Sequence, residues 1–370
     1  MSASATHPPA GVEFVGVSKQ YGSGPIAIDK LDLTIRPGEF LTLLGPSGSG
    51  KTTALNLLAG FQTPTSGQIL VDGSDISVLP PHKRDIGVVF QHYALFPHMT
   101  VRENVGYPLK QRRVPKDELR RRVDEALRMV AIEAFAERLP RQLSGGQQQR
   151  VAVARAIVFQ PRLLLMDEPL GALDKKLRES VQLELKRIHR DLGVTVVFVT
   201  HDQEEALVMS DRIAVFDAGK IQQVGTADEL YDAPLTQFVA QFLGESNCWV
   251  GDVTHPASDR SVVSGPGWSV TGTTIGATPS SGRAAVIVRP ERCNLVARGS
   301  APSGWNEAPG RIRDVVYLGS LRKLVVDLDA GGTATVSLRP DMELPIDPAV
   351  SVAFPIASAR TLPATKTIAT

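Results

Sequence analysis

The octapeptide GPSGSGKT, residues 45–52, has the spacing G-x-x-x-x-G-K-[ST]. Each part suits the holding of phosphate. Gly45, Gly48 and Gly50 let backbone N–H groups curl around phosphate oxygens with no Cβ in the way. Lys51 supplies a mobile positive charge for the terminal phosphates, and Thr52 offers a hydroxyl to Mg2+. The loop stands between FLTLL, a strand-type run, and TTALNLLAG, a helix-type run that stops at Gly60. A helix starting there adds its positive end. This context separates a phosphate loop from a chance glycine turn. A second stretch, LLLMDEP, places Asp167 at the end of a buried strand, where ligands gather in α/β sheets. Asp167 is expected to hold Mg2+, directly or through water. Glu168, one residue on, is assigned as the general base for the water that attacks the γ-phosphate. ATP and Mg2+ are the expected cofactors.

Elements must carry these residues. RLLLMD and VTVVFVT are apolar, partly β-branched runs of the buried-strand type. Between them ESVQLELKRIHRDLG reads as a helix closed by Gly193. Strands alternating with helices predict an α/β domain with a largely parallel sheet. From Lys116, the residues Leu119, Val123, Leu127 and Val130 form one apolar helix face, so a helical subdomain is expected over about residues 92–160. Its arginines Arg120, Arg121 and Arg122 are read as a solvated face, with lipid headgroups the alternative. After about residue 240 the helical period stops. Short runs such as CWVGDV, AVIVR, RIRDVVYLG, KLVVDL, TVSL and SVAFPI follow, punctuated by Gly, Pro, Ser and Asp. The expected fold is therefore an α/β P-loop nucleotide-binding domain over 1–240 with a helical subdomain. A small all-β, OB-like barrel is expected over 241–370. The residues from about Ala359 have little to pack and are expected to fray.

Composition narrows the function classes. A net charge of +1 gives no reason to expect nucleic acid as a partner. Cys248 and Cys293 are the only cysteines, too few and too far apart for a disulfide framework or a zinc site, and are read as ordinary thiols. The opening MSASATHPPAG has neither a positive cluster nor an apolar core, so it is not read as a secretory signal. No apolar stretch approaches the ~20 residues needed to cross a bilayer. Any tie to a membrane is expected to run through a partner.

A third motif is LSGGQQQR, residues 143–150. It is too polar to bury, and its paired glycines are poor helix formers. With it, the chain resembles the ATP-binding subunits of ABC transporters over essentially its whole length. The resemblance implies further site residues. Tyr21, in SKQYG, matches the aromatic that stacks on adenine. Gln91, in GVVFQHYALFPHMTV, matches the glutamine that senses Mg2+ and lines the contact with a membrane subunit. Ser144, Gly145, Gly146 and Gln147 match the signature whose helix N-terminus faces the nucleotide of the other subunit. Asp174, in LGALD, matches the loop that crosses the dimer interface. His201, in VTHDQEEA, matches the histidine that contacts the γ-phosphate. The nucleotide-binding set thus comprises Tyr21, Gly45, Pro46, Ser47, Gly48, Ser49, Gly50, Lys51, Thr52, Thr53, Ser144, Gly145, Gly146, Gln147 and Asp174. Thr52, Gln91 and Asp167 form the metal set, and Glu168, His201 and Gln91 the catalytic set.

The resemblance implies a homodimer closing over two nucleotides on the cytoplasmic face of the cell (inner) membrane. It also implies two membrane-spanning permease subunits and, indirectly, an extracytoplasmic solute-binding protein. Tyr93 and Phe96, near Gln91, are expected either to receive the permease or to pack in the core. VIVRPERCNL and RIRDVVYLGSLRKLVV resemble the accessory β-domain of importer ATPases. The wording of PPHKRDIGVVFQHYALFPHMTV is most similar to polyamine (spermidine and putrescine) importers, with ferric iron, sulfate and sugar importers as alternatives. A non-transport ABC ATPase and a small-molecule kinase are the readings from other classes. No long coiled-coil arm, zinc-type cysteine set or second cassette speaks for the first, and the second needs neither the signature nor His201.

Overall fold

The computed structural model describes residues 8–364 apart from 172, 258, 277, 279–280 and 346. It divides into two compact units, residues 1–227 and 228–370.

Unit 1 opens with β1 (Val12–Gln20), β2 (Ile26–Ile35) and β3 (Phe40–Leu44). Then come α1 (Lys51–Ala59), β4 (Ser66–Val71), β5 (Ser74–Asp75) and β6 (Gly87–Val89). Three helices follow: α2 (Val101–Gln111), α3 (Lys116–Met129) and α4 (Gly145–Ile157). The unit ends with β7 (Leu163–Asp167), α5 (Lys175–Leu192), β8 (Thr195–Thr200), α6 (Gln203–Met209), β9 (Arg212–Asp217) and β10 (Lys220–Gly225).

These strands form two sheets. One is antiparallel, in the order β2-β1-β4-β5. The other runs β10-β9-β3-β8-β7-β6, parallel except for the β10 edge. Its central strands are buried along their whole length because both faces are covered. The two-residue period of a strand sorts their side chains between two cores. Leu41, Leu43, Leu163, Leu165, Val197 and Val199 face α1 and the antiparallel sheet. Phe40, Leu164, Met166, Val196 and Phe198 face the core shared with α2 to α5.

The helical subdomain is present. Val123, Leu127 and Val130 are buried, with Leu119 packed against the same core. On the outer face Arg121 and Arg122 pair with Glu118, holding its carboxyl down at about 2. Their charge is thus engaged within the helix.

Unit 2 is entered through α7 (Ala227–Asp232) and α8 (Gln237–Phe242). The units divide upstream of the residue-240 boundary expected from the sequence. Arg289 explains why, since it donates to the carbonyls of Tyr231, Ala240 and Gly244 and ties both helices to the β unit. The strands are β11 (Asn247–Ala257), β12 (Arg260–Gly265), β13 (Trp268–Thr274), β14 (Arg283–Val288) and β15 (Asn294–Val296). They continue with β16 (Trp305–Tyr317), β17 (Arg322–Leu328), β18 (Thr333–Leu338), β19 (Ala349–Pro355) and β20 (Arg360–Pro363). β11-β12-β13-β20-β14 close a barrel, and β15-β19-β16-β17-β18 form a second sheet. Val286, Leu324, Val336 and Phe354 share one core beneath them.

The expectation that the chain frays from Ala359 is corrected. Ala359 and Leu362 are fully buried, and β20 pairs with both β13 and β14. Residues 365–370, to which that expectation also applied, lie outside the described set. The cysteines are unpaired, and burial pushes the Cys248 thiol up to about 11 and the Cys293 thiol up to about 12. Neither is a thiolate near neutral pH. Among the described residues no helix is long and apolar enough to cross a membrane.

Candidate functional site

Three parallel strands deliver the chemistry to one edge. β7, β8 and β3 are neighbours, with Asp167 beside Val199 and Leu44 beside Thr200. The phosphate loop, Asp167–Glu168 and His201 therefore leave the sheet at adjacent C-terminal ends.

The loop is shaped by what a side chain would meet. A Cβ on Gly45 would lie 2.3 Å from the carbonyl oxygen of Phe216. Gly50 has φ +105°, and a Cβ there would lie 2.7 Å from the carbonyl oxygen of Ala27. Only glycine fits either position. Gly50 also precedes α1 without a side-chain cap, so the first N–H groups of the helix remain available to an anion. Lys51 is buried, and its Nζ donates to the carbonyls of Gly45 and Pro46 at 2.7 and 2.8 Å. Burial lowers its pKa, while Glu168 and Asp167 oppose that shift. The lysine thus rests across the loop it would serve.

Thr52 Oγ1 donates to Asp167 Oδ1 at 3.1 Å. Burial raises the Asp167 pKa, the Thr52 hydrogen bond opposes it, and the Glu168 charge adds to it. Glu168 takes a left-handed φ of +42°, and its N–H donates to Val199 O at 3.0 Å. This bend turns the acid out of the strand line. His201 Nδ1 lies 3.2 Å from Glu168 Oε2.

These residues fit a magnesium nucleotide. The Ser49 hydroxyl is buried in the loop with no hydrogen-bond partner. The glycine cradle and uncapped α1 present N–H groups. Thr52 and Asp167 supply hard oxygen donors, few enough that phosphate oxygens must complete a Mg2+ shell. Among the described residues no cluster of three His, Cys, Asp or Glu side chains could hold a metal by itself.

The other expected residues lie apart from this cluster. No hydrogen bond or ion pair among the described residues joins Tyr21, Gln91, Ser144, Gln147 or Asp174 to Lys51, Thr52, Asp167, Glu168 or His201. The Tyr21 hydroxyl donates to Gln62 Oε1, and Lys19 Nζ sits 5.2 Å from its ring centre. Neither Gln62 nor Lys19 was singled out from the sequence. Gln91 is exposed. Ser144 and Gln147 form a reciprocal capping box at the start of α4. Gly146 is buried, and a Cβ there would lie 3.0 Å from Leu177 Cδ2, close enough to press on that flexible side chain but on no backbone atom. Asp174 caps α5 through Leu177 N–H. Within the LGALD loop, Ala172 lies outside the described residues. Tyr93 is core and not surface, turned inward by a φ of +59°. Phe96 is half-buried beside Tyr107. A cavity of about 520 Å³, lined by Ala126, Met129, Ile157, Pro161, Leu192 and Val194, lies at the entry ends of β7 and β8. Donor chemistry, and not volume, locates the site.

Residues 28–171 match the family model described as ABC transporter, and residues 286–362 match the TOBE domain. A spermidine/putrescine import ATP-binding protein of Mesorhizobium japonicum is 49% identical over 88% of this chain and 89% of its own length. One from Thermobifida fusca is 50% identical over 82% of this chain and 80% of its own length. The chain belongs to the family of ABC transporter import ATP-binding proteins. It is an ATPase of that family, with the α/β P-loop and all-β units expected of it. Among solved structures, a dimeric ATP-binding cassette in a post-hydrolysis state, bound to ADP and Pi, is 38% identical with a TM-score of 0.53. The match covers 58% of this chain and 98% of that one. An ABC transporter component from Clostridium perfringens is 30% identical with a TM-score of 0.56, covering 59% of this chain and 89% of its own.

Proposed function

We propose that this chain powers polyamine import, with spermidine or putrescine as the solute. The observation that carries the reading is the 49% identity, over 88% of the chain, to a protein named for that import. In this reading two copies act as a homodimer at the cytoplasmic face of the membrane. They bind two permease subunits and, through these, serve an extracytoplasmic binding protein.

Each nucleotide lies in the loop of residues 45–53, with adenine against Tyr21. Lys51 exchanges the carbonyls of Gly45 and Pro46 for β- and γ-phosphate oxygens. Thr52 and Asp167, with Gln91 as the third expected ligand, would hold Mg2+, which would supply positive charge to offset that of those phosphates. Glu168 accepts a proton from water as the water oxygen bonds to the γ-phosphorus. The bond from that phosphorus to the bridging oxygen breaks, ADP carries away the electron pair, and His201 steadies the γ-phosphate. Ser144, Gly145, Gly146, Gln147 and Asp174 serve the nucleotide of the partner subunit.

Reconstitution with cognate permeases and binding protein tests the solute. Spermidine or putrescine is expected to stimulate ATP hydrolysis. Stimulation by ferric iron, sulfate or a sugar in place of the polyamines overturns the solute assignment.

A further inference from the structure

Arg178 stands on α5, one turn beyond Asp174, and its guanidinium reaches in three directions. One terminal nitrogen donates to Leu173 O at 3.0 Å, in the loop that leads on from Glu168. The other pairs with Asp202 Oδ2 at 2.9 Å. Nε lies 3.6 Å from Glu205 Oε1. A planar guanidinium suits this work because its donors are fixed relative to one another.

The acids it meets are themselves held. Asp202 Oδ1 caps α6 by accepting from the N–H groups of Glu204 and Glu205 at 2.8 and 3.2 Å. Thr200 Oγ1 donates to Glu205 Oε2 at 2.6 Å and accepts from Asp202 N–H at 3.0 Å. Glu205 is 2% exposed, so its carboxylate has little access to water in place of these partners. His201 lies between Thr200 and Asp202. It takes no part in the network and faces Glu168 instead. The flanks of His201 are therefore fixed to the same guanidinium that holds the Leu173 carbonyl, five residues on from Glu168.

We propose that Arg178 is a positioning residue for ATP hydrolysis: it ties the Leu173 carbonyl, which leads into α5, to the turn that presents His201. The Glu168 carboxylate and the His201 imidazole are thereby kept in register. This rests on the roles given to Glu168 and His201 above.

Phosphate release and equilibrium binding of a fluorescent Mg-ATP analogue, both on the full chain, test it. Arg178→Ala is expected to lower kcat about tenfold or more while changing nucleotide Kd less than about threefold. Asp202→Asn keeps the α6 cap, since Asn caps as well as Asp, but loses the ion pair. It is expected to show the same split with an unchanged melting temperature. The double variant is expected to be no slower than the slower single, because both substitutions remove one contact. Arg178→Lys, which keeps the charge without the fork, is expected to fall between Arg178→Ala and the unaltered chain. A normal kcat in Arg178→Ala alongside a slow His201→Ala overturns the proposal alone. Multiplicative losses in the double variant, or a normal kcat in Asp202→Asn, overturn it as well. A normal kcat in His201→Ala overturns the reading of the site and this proposal together.

Discussion

His201 Nδ1 and Glu168 Oε2 are 3.2 Å apart, although the two residues leave different strands of the central sheet. Glu168 follows β7, and His201 follows β8. Parallel pairing brings the two strand ends level, and the left-handed backbone at Glu168 turns its side chain toward the imidazole. The relationship therefore reports on sheet register as much as on the side chains.

Glu168→Gln keeps the size and shape of the side chain but cannot accept a proton. Hydrolysis is expected to fall at least about a hundredfold, in line with the loss of a general base. Mg-ATP affinity is expected to be retained, and an ATP-dependent dimer to accumulate on gel filtration. Turnover near normal would remove Glu168 from its assigned role.

Asp167 carries a raised pKa because burial disfavours its charge. A carboxyl whose folded-state pKa is raised binds protons more tightly in the native state, so its contribution to stability declines as pH rises through the ordinary and then the raised value. Above that window the full penalty is present. Asp167→Asn removes it, and its amide oxygen still accepts from Thr52. The nucleotide-free variant is expected to melt higher than the unaltered chain at pH 7, with the difference closing in acid. The stabilisation that Mg2+ adds to ATP is expected to be lost. Melting curves with and without Mg-ATP decide it, and a lower melting temperature for the ligand-free variant at pH 7 counts against this account.

Gly45 and Gly146 both look like invitations to a ligand, but they differ in what surrounds them. Gly45→Ala drives a methyl into the Phe216 carbonyl, a backbone atom that cannot move alone. The expected cost is about 3 kcal/mol, at the upper end for overpacking. Gly146→Ala presses only on the flexible Leu177 side chain, and alanine favours the helix by about 1 kcal/mol. The net effect is expected within about 1 kcal/mol of zero. Urea unfolding of the two variants gives the comparison, and equal costs would contradict it.

The signature and the phosphate loop are expected to meet across two chains. Lys51→Ala damages the loop, and Ser144→Arg obstructs the signature. Homodimers of either variant have two damaged sites. In a mixed dimer, a trans arrangement puts both defects in one site and leaves the other intact. Trapping of about one nucleotide per dimer is then expected, as for one intact site. A verified mixed dimer that traps none speaks for a site completed within one chain.

Phosphate chemistry was readable because it occupies consecutive residues at strand ends, as in residues 45–52 and at Asp167 and Glu168. Contacts between distant positions were not. Tyr21 and Gln62 are 41 residues apart, and Arg178 and Asp202 are 24 apart. Nothing in either local pattern announces the pairing. Register breaks between β1 and β2 blur the alternation that would have marked the antiparallel sheet. β20 is four residues long, too short for a period to emerge. For Tyr93 the sequence left a partner-facing and a core position open, and the structure takes the core one, at a residue with left-handed backbone.

The β13–β20 pairing imposes an order on synthesis. Every strand of both unit 1 sheets has been made once Gly225 has emerged, so that unit can fold on the ribosome while the remainder is translated. The barrel has no such opportunity. β13 and β14 must wait with Val270, Ala284 and Val286 uncovered while all of β15 to β19 is made, and only Arg360–Pro363 closes the ring. A ribosome that stops shortly before Arg360 would therefore release a completed unit 1 joined to an open barrel, whose unpaired β13 and β14 edges are the kind that aggregate or attract quality control.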